Sequence, residues 1–282
     1  LAEAGTAWIG LYYAQQRLAL ARDSLDSLRD FVPVAVSAVA SGSARPAESL
    51  AIRRELLEIE DAITRIEAAR AAARARLQRY IVESEPVAAG GAPQATVDPE
   101  GLRFALEANP ELRLADAEQR RAEAAADLAR AEKRPDFGVS VTYGHRNPDF
   151  GSVVSVMGSV TLPIFTDRRQ NPRIAAAEAD AAAASAERVD RLRAIRARFE
   201  ADLAAWRSAL QQWERARDQL LPLARDRAQL ETASFAAGRA DLVDVIAAKS
   251  ALALLELEIL EREQMAVEAA ATLRLTYGED RP

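Results

Sequence analysis

The sequence lacks cysteine altogether and contains a single histidine, His145. The absence of cysteine excludes disulfides, thiolate metal ligands and a cysteine nucleophile. A lone histidine has no partner at metal-ligand spacing, and one histidine with no cysteine argues against both a Ser–His–Asp site and a metal cluster. We therefore expect a protein that is not an enzyme and that holds no cofactor or metal.

Aromatic residues and long apolar runs are also scarce. Aromatics make up 5% of the chain although 49% of its residues are hydrophobic, because much of the hydrophobic share is alanine. No apolar run is long enough for a transmembrane helix, which takes about 18 residues or more. A composition rich in Ala, Glu and Arg with few aromatics is typical of long, closely packed helices.

Neither sign of charge dominates the composition. The 37 basic residues oppose 43 acidic ones, and the formal net charge is −6. This balance is too acidic and too evenly mixed for a nucleic-acid-binding protein. We therefore expect no nucleic-acid partner.

Large apolar residues recur every seven positions in three parts of the chain, which predicts helices of the coiled-coil type. The clearest series predicts one long helix over about 174–235, with Pro222 kinking it near its far end. A second series predicts a returning helix after Gly238, and a third predicts a helix in the first part of the chain. The three series are Leu192, Phe199, Trp206, Trp213 and Leu220; Val245, Leu252, Ile259, Ala266 and Leu273; and Ile52, Ile59, Ile66 and Ala73.

Two segments, 136–145 and 153–163, alternate apolar residues with small or polar ones, which predicts a β-hairpin. The residues between them, 146–152, have the composition of a turn. Each strand has about ten residues, the length that a tilted strand needs to cross a bilayer. One apolar face and one small, polar face are typical of a barrel strand between lipid and water.

The chain also contains an internal repeat. A shift of 196 positions places Gly42 on Gly238 and Leu56 on Leu252. The repeating unit is a helix, a strand hairpin, a long helix, a Gly turn and a returning helix. The second copy is nearly whole, whereas the first begins inside its long helix. We therefore expect about 100 residues to precede Leu1 in the natural protein, so that the chain is truncated at its N-terminus.

Three segments follow from this repeat. Residues 1–82 form the helical hairpin of the incomplete first copy, and the Pro- and Gly-rich residues 83–110 form a linker. Residues 111–282 form the second copy, with a β-hairpin over 136–163 and a long helical hairpin over 168–278. The predicted fold class is mainly α, with long antiparallel coiled-coil helices and one β-hairpin. Because a lone hairpin is marginal in water, we expect hairpins from several chains to combine into a barrel.

Two motifs give the sequence a family resemblance. The hairpin exit reads VTLPIF over 160–165 and continues with DRR over 167–169, and the turn between the long helices reads FAAGRADLVDV over 235–245. In their order and spacing these motifs resemble the TolC-like outer-membrane efflux proteins, in particular their heavy-metal, CzcC-like branch. The resemblance covers essentially the whole chain.

The resemblance implies that the chain is half of a TolC-type protomer, which forms a homotrimer when full length. It implies a β-barrel in the lipid of the outer membrane of a Gram-negative bacterium, with a large periplasmic helical portion. The implied function is a passive conduit that exports metal ions or small toxic compounds. The implied partners are a periplasmic adaptor (membrane fusion) protein and an inner-membrane pump.

The resemblance further implies that both Gly turns sit at the periplasmic tip and contact the adaptor. Without it, each turn is simply the reversal of a helical hairpin, for which Gly supplies the positive φ. The residues assigned to this tip are Gly42, Ser43, Ala44, Gly238, Arg239 and Ala240.

Three acidic residues near the turns are candidates for a constriction of the pore. Asp244 matches a position at which family members place an acidic ring, Asp241 lies one turn earlier, and Glu48 is the repeat equivalent of Asp244. Three copies of an Asp around a threefold axis would attract cations. The alternative interpretation is that these acids are N-terminal helix residues favoured by the helix dipole.

A periplasmic coiled-coil adaptor or a scaffold protein is the alternative function. Adaptors also contain helical hairpins, but lipoyl-like and β-barrel segments flank them, and the sequence shows no such segments. A scaffold has no need of a ten-residue hairpin patterned for lipid.

Overall fold

A computed structural model describes residues 2–42, 45–82, 85–91, 93–145 and 151–278. The chain divides into two compact units. The first unit consists of Leu1–Ala105 and Arg198–Pro282, and the second consists of Leu106–Ala197.

Helices dominate both units, and the second unit also carries a two-stranded antiparallel hairpin. This is the fold class that the sequence predicted. The elements within the described ranges are α1 (Ala2–Arg29), α2 (Val32–Ala40), α3 (Pro46–Gln78), α4 (Pro99–Ala105), a 3₁₀ turn (Leu106–Ala108), α5 (Pro110–Ala131), β1 (Asp136–His145), β2 (Ser152–Thr161), α6 (Gln170–Arg215), a π turn (Ala216–Leu220), α7 (Leu221–Ala236) and α8 (Leu242–Tyr277).

In the first unit the long helices pack as antiparallel pairs. Helix α1 packs along α3 and α8, and α7 packs along α8. Ion pairs bridge the exposed edges of these pairs: Arg22 lies 2.7 Å from Glu67, and Arg225 lies 3.0 Å from Glu256. Such exposed pairs contribute little free energy, so the packed apolar seam supplies most of the stability.

The heptad series forms that seam. All four members of the α3 series are buried, and so are the members of the α8 series apart from the half-buried Leu252. In the α6 series the burial ends earlier. Phe199 and Trp206 are buried and Trp213 is half-buried, whereas Leu220 is exposed.

The structure divides the long helix predicted over 174–235 into α6 and α7, separated by a π turn. Proline lacks an N–H, so Pro222 cannot donate to the carbonyl four residues back, on Asp218. The π turn ends at Leu220, two residues before Pro222, and Leu221 N–H donates to the Ala216 carbonyl five residues back. The interruption predicted at Pro222 is therefore a widened helical turn.

Helix boundaries follow the 196-residue repeat. Ala40 and Ala236 end α2 and α7, and Pro46 and Leu242 begin α3 and α8. Both pairs of positions differ by 196, the shift that aligns the two Gly turns. The agreement supports two copies of one helical-hairpin unit.

In the second unit, α5 lies beside the first part of α6. Helix α5 begins at Pro110 because the Asn109 side chain accepts a hydrogen bond from Glu111 N–H at 2.9 Å, which caps the helix. Ion pairs then tie α5 to α6, among them Arg130 to Glu178 at 2.8 Å.

Candidate functional site

The β-hairpin has two chemically different faces, as the sequence predicted. Residues directly opposite in an antiparallel ladder point to the same face. On one face nearly every residue is apolar. Its pairs are Phe137–Val160, Val139–Gly158, Val141–Val156 and Tyr143–Val154, and the polar pair His145–Ser152 ends the same face.

The opposite face is made mostly of small and polar side chains, with Met157 and Val153 as apolar exceptions. Its pairs are Gly138–Ser159, Ser140–Met157, Thr142–Ser155 and Gly144–Val153. The second strand covers Ser152–Thr161 rather than the predicted 153–163, and the predicted turn residues 146–150 lie outside the described residues. Every residue of both strands is exposed in the single chain.

The turn between α7 and α8 is closed by a Schellman motif. Gly238 N–H donates to the Phe235 carbonyl at 2.9 Å, and Arg239 N–H donates to the Ser234 carbonyl at 2.8 Å. Gly238 has φ +68°, a left-handed conformation that side chains with a Cβ rarely adopt. The chain therefore reverses at Gly238, as the sequence predicted.

The turn between α2 and α3 begins with the same arrangement, a glycine of positive φ whose N–H donates to the carbonyl three residues back. Gly42 has φ +73°, and its N–H donates to the Val39 carbonyl at 3.1 Å. Ser43 and Ala44, which the sequence places at this tip, lie outside the described residues.

Asp241 and Asp244 form a capping box at the start of α8. Asp241 N–H donates to the Asp244 carboxylate at 3.3 Å, and the Asp241 side chain accepts from Asp244 N–H. Both residues are exposed. The carboxylates thus satisfy helix-terminal N–H groups, which is the alternative interpretation that the sequence left open, and they still present two negative charges to solvent.

At the start of α3 the equivalent positions carry Arg45 and Glu48. Arg45 Nε donates to the Glu48 carboxylate at 3.0 Å, and the Glu48 side chain is only 17% exposed. Hydrogen bonds from the Arg45 guanidinium and then from its backbone N–H lower the pKa of Glu48. Glu48 is therefore neutralised by an arginine, whereas Asp244 has a second acid in the equivalent place.

The starts of α3 and α8 share one apolar cluster within the first unit. Leu242, adjacent to Asp241, and Ile246 are buried in a cluster that also contains Ala35 of α2 and Ile52 of α3. This packing holds the two turns in the same region of the unit.

Sequence reasoning missed two features. It did not identify Arg45 as the partner of Glu48, although alignment of Arg45 with Asp241 marks the difference in charge. It also missed an exposed apolar stripe on α3, where Leu50 and Leu57 are 63% and 59% exposed. Their seven-residue spacing was the available signal.

Within the described residues, no helix is both long enough and apolar enough to cross a membrane. Nor do the His, Cys, Asp and Glu side chains of the same residues form a group of three or more suited to a metal ion.

Solved structures of outer-membrane channels share this fold. CusC superposes with a TM-score of 0.83 at 16% identity, and a membrane protein from Pseudomonas aeruginosa superposes with a TM-score of 0.82 at 19% identity; each match covers 98% of this chain and 67% of the other. MtrE of Neisseria gonorrhoeae, in its open state, gives a TM-score of 0.75 at 19% identity, covering 98% of this chain and 65% of MtrE. The chain thus spans about two thirds of these proteins.

Comparison with curated protein sequences found no match. The family model described as "Outer membrane efflux protein" matches residues 102–279, which include the β-hairpin, the second Gly turn and the returning helix α8. The chain belongs to the outer membrane efflux protein family.

Proposed function

We propose that the chain is part of the outer-membrane channel of a tripartite efflux system, a passive conduit across the periplasm and the outer membrane. The observation that carries the proposal is the β-hairpin, with an apolar face and a polar face that are both exposed in one chain. In a closed barrel the apolar face contacts lipid on the outside and the polar face contacts water on the inside. The free edges of the two strands then pair with neighbouring strands.

Family membership supports transport rather than catalysis. It also favours a channel over a coiled-coil adaptor or scaffold, for which a two-faced hairpin has no use. The conduit acts through its geometry and lining charge and needs no reacting group.

The channel is a homotrimer, and the internal repeat supports this assembly. Leu50 and Leu57 on α3 correspond to Ile246 and Ala253 on α8. The α8 residues are 1% and 6% exposed because they pack against the first helical hairpin. Repetition of the same packing would bury the α3 stripe against the second hairpin of a neighbouring chain.

Adaptor binding is assigned to the two turns. Their exposed backbone reversals are formed by Gly42 and Gly238, with Ser43, Ala44, Arg239 and Ala240 beside them. The adaptor in turn links this channel to an inner-membrane pump.

The constriction is assigned to the acids that begin the returning helices. Asp244 and Asp241 are exposed at the start of α8, and three copies around the trimer axis would place six carboxylates at one level. Glu48 contributes less, because Arg45 neutralises it. Such a ring favours cations, which is compatible with export of metal ions; small toxic compounds are the other substrate class.

Introduction of a positive charge on each face of the hairpin tests the proposal. Val141 and Thr142 are adjacent and exposed, and they lie on opposite faces of the hairpin. Arginine on a lipid-facing strand position costs up to about 2–4 kcal/mol, whereas arginine on the lumen face stays in water. We expect Val141→Arg to abolish membrane insertion and single-channel conductance in planar bilayers, and Thr142→Arg to insert normally with altered conductance.

The comparison of Val141→Arg with Thr142→Arg can also contradict the proposal. Equal insertion of the two variants would contradict the lipid-facing assignment. So would the absence of any conductance from the unmodified protein in its natural full length.

A further inference from the structure

A cavity of about 540 Å³ lies between α1, α3 and α8 in the first unit. Its apolar wall is made of small residues on α1 and α3. They are Ala7, Gly10, Ala69, Ala72 and Ala73. The volume falls in the range of small-molecule sites, which are typically about 300–1,000 Å³.

The small residues of the cavity wall belong to the first copy of the repeat. Gly10 corresponds to Trp206 and Ala69 corresponds to Met265, so the second copy has large side chains where the first has almost none. A coiled-coil seam normally fills such positions to close packing. The space is therefore encoded by small residues at equivalent positions rather than by the architecture of the hairpin.

Arginines supply most of the polar wall. Arg17, Arg76 and Arg79 all line the cavity. The Arg17 side chain is 13% exposed, and its Nη2 donates to Gln264 Oε1 at 2.9 Å. Its Nε is buried and has no hydrogen-bond partner among the described residues.

Two acids, Glu3 and Glu268, line the same cavity. Glu3 accepts a hydrogen bond from the Tyr80 hydroxyl at 2.5 Å and lies 3.7 Å from Arg79. Glu268 accepts from Gln264 Nε2 at 2.7 Å, and burial raises its pKa despite the nearby Arg17 and Arg76. Three guanidinium groups thus line the cavity beside two carboxyl groups, and Arg17 also lies 3.9 Å from Glu261.

We propose that this cavity binds a small amphipathic anion, a carboxylate or phosphate carried on a hydrocarbon body. Guanidinium groups match the geometry of both oxyanions, and the alanine wall fits the hydrocarbon. The anion is either a free organic acid or the head of an anionic lipid. The proposal does not depend on channel function.

Binding is tested on the whole chain in nanodiscs of neutral lipid. The probes are octanoate, dihexanoyl phosphatidate and, as a cation with the same hydrocarbon length, octylammonium. We expect saturable binding of octanoate or of the phosphatidate in calorimetric titration, and no binding of octylammonium. The tighter of the two anions identifies a free acid or a lipid as the source.

Two variants locate the site. Arg76 is exposed on α3 and lines the cavity, so Arg76→Gln should weaken anion binding about tenfold without unfolding the chain. Arg53→Gln, at an exposed arginine of the same helix outside the cavity, should leave it unchanged. Ala72→Leu should also weaken binding, because it fills the cavity from an exposed helix position.

The proposal fails if neither anion binds, or if octylammonium binds as tightly as octanoate. It also fails if Arg76→Gln and Arg53→Gln bind equally well while Ala72→Leu has no effect.

Discussion

Asp244 combines a structural role with a proposed electrostatic one, and the two can be separated chemically. Its carboxylate accepts a hydrogen bond from Asp241 N–H in the capping box. An asparagine side chain keeps an oxygen that can accept this bond but loses the charge. An alanine loses both, and loss of a capping side chain costs about 1 kcal/mol.

We therefore expect Asp244→Asn to reduce cation selectivity, measured as a reversal potential across a salt gradient, with little change in the free energy of unfolding. Asp244→Ala should reduce selectivity equally and lower the unfolding free energy by about 1 kcal/mol. Asp226→Asn, at an exposed aspartate within α7, is the control and should change neither quantity. Unchanged selectivity in Asp244→Asn would leave the residue as a helix cap alone.

Glu268 gives the first unit a defined pH dependence. Burial raises its pKa above the usual value of 4.5, although Gln264, Arg17 and Arg76 act in the opposite direction. Below pH 4.5 the carboxyl is protonated in both states. As the pH rises through 4.5, the unfolded chain ionises first, so the free energy of unfolding falls until the pH exceeds the folded pKa.

Glu268→Gln removes this loss. We expect the variant to gain stability relative to the unmodified chain between pH 4 and pH 8, because glutamine cannot ionise in the folded state. Chemical denaturation at the two pH values measures the gain. Glu261→Gln, at a more exposed acid of α8, should change stability by only a few tenths of a kcal/mol at either pH. A gain at pH 4 as large as that at pH 8 would contradict the titration of Glu268.

At the scale of elements, periodicity predicted the helices and strands because local burial imposes it. The α3 series is buried at every seventh residue, and the strand alternation divides the hairpin into two faces. The Gly turns were predictable for the same local reason, since the positive φ at Gly42 and Gly238 favours glycine.

Other features of the elements depend on contacts that one sequence does not display. Pro222 predicted an interruption of the long helix. Whether the interruption is a kink or a π turn depends on which N–H groups bond the carbonyls that the proline leaves unpaired. The pairing of Arg45 with Glu48 depends on the side-chain geometry at the helix start. The cavity beside Gly10 depends on which residues of α3 and α8 face α1.

At the scale of the whole molecule, the repeat predicts that the exposed α3 stripe is buried by a neighbouring chain. Leu50 and Leu57 are exposed, whereas their equivalents Ile246 and Ala253 are buried against the first hairpin. Equivalent packing between chains would place the α3 stripe against the second hairpin of a neighbour, near Leu221 of α7. Such a head-to-tail contact generates a ring when the rotation that relates successive chains returns to the first chain.

Polar substitution of the stripe tests this assembly. We expect the double variant Leu50→Gln, Leu57→Gln to fold but to lose most of its trimer, because about 1.5 kcal/mol or more of apolar burial is removed for each leucine at each interface. The control is Leu223→Gln, since Leu223 is 66% exposed but its repeat equivalent, Ser27, is an exposed polar residue. Mass measurement in detergent by light scattering, with circular dichroism to verify folding, should show monomer for the double variant and trimer for Leu223→Gln. If both variants remain trimeric, the two copies of the repeat do not use equivalent faces, and the contact between chains lies elsewhere on the helices.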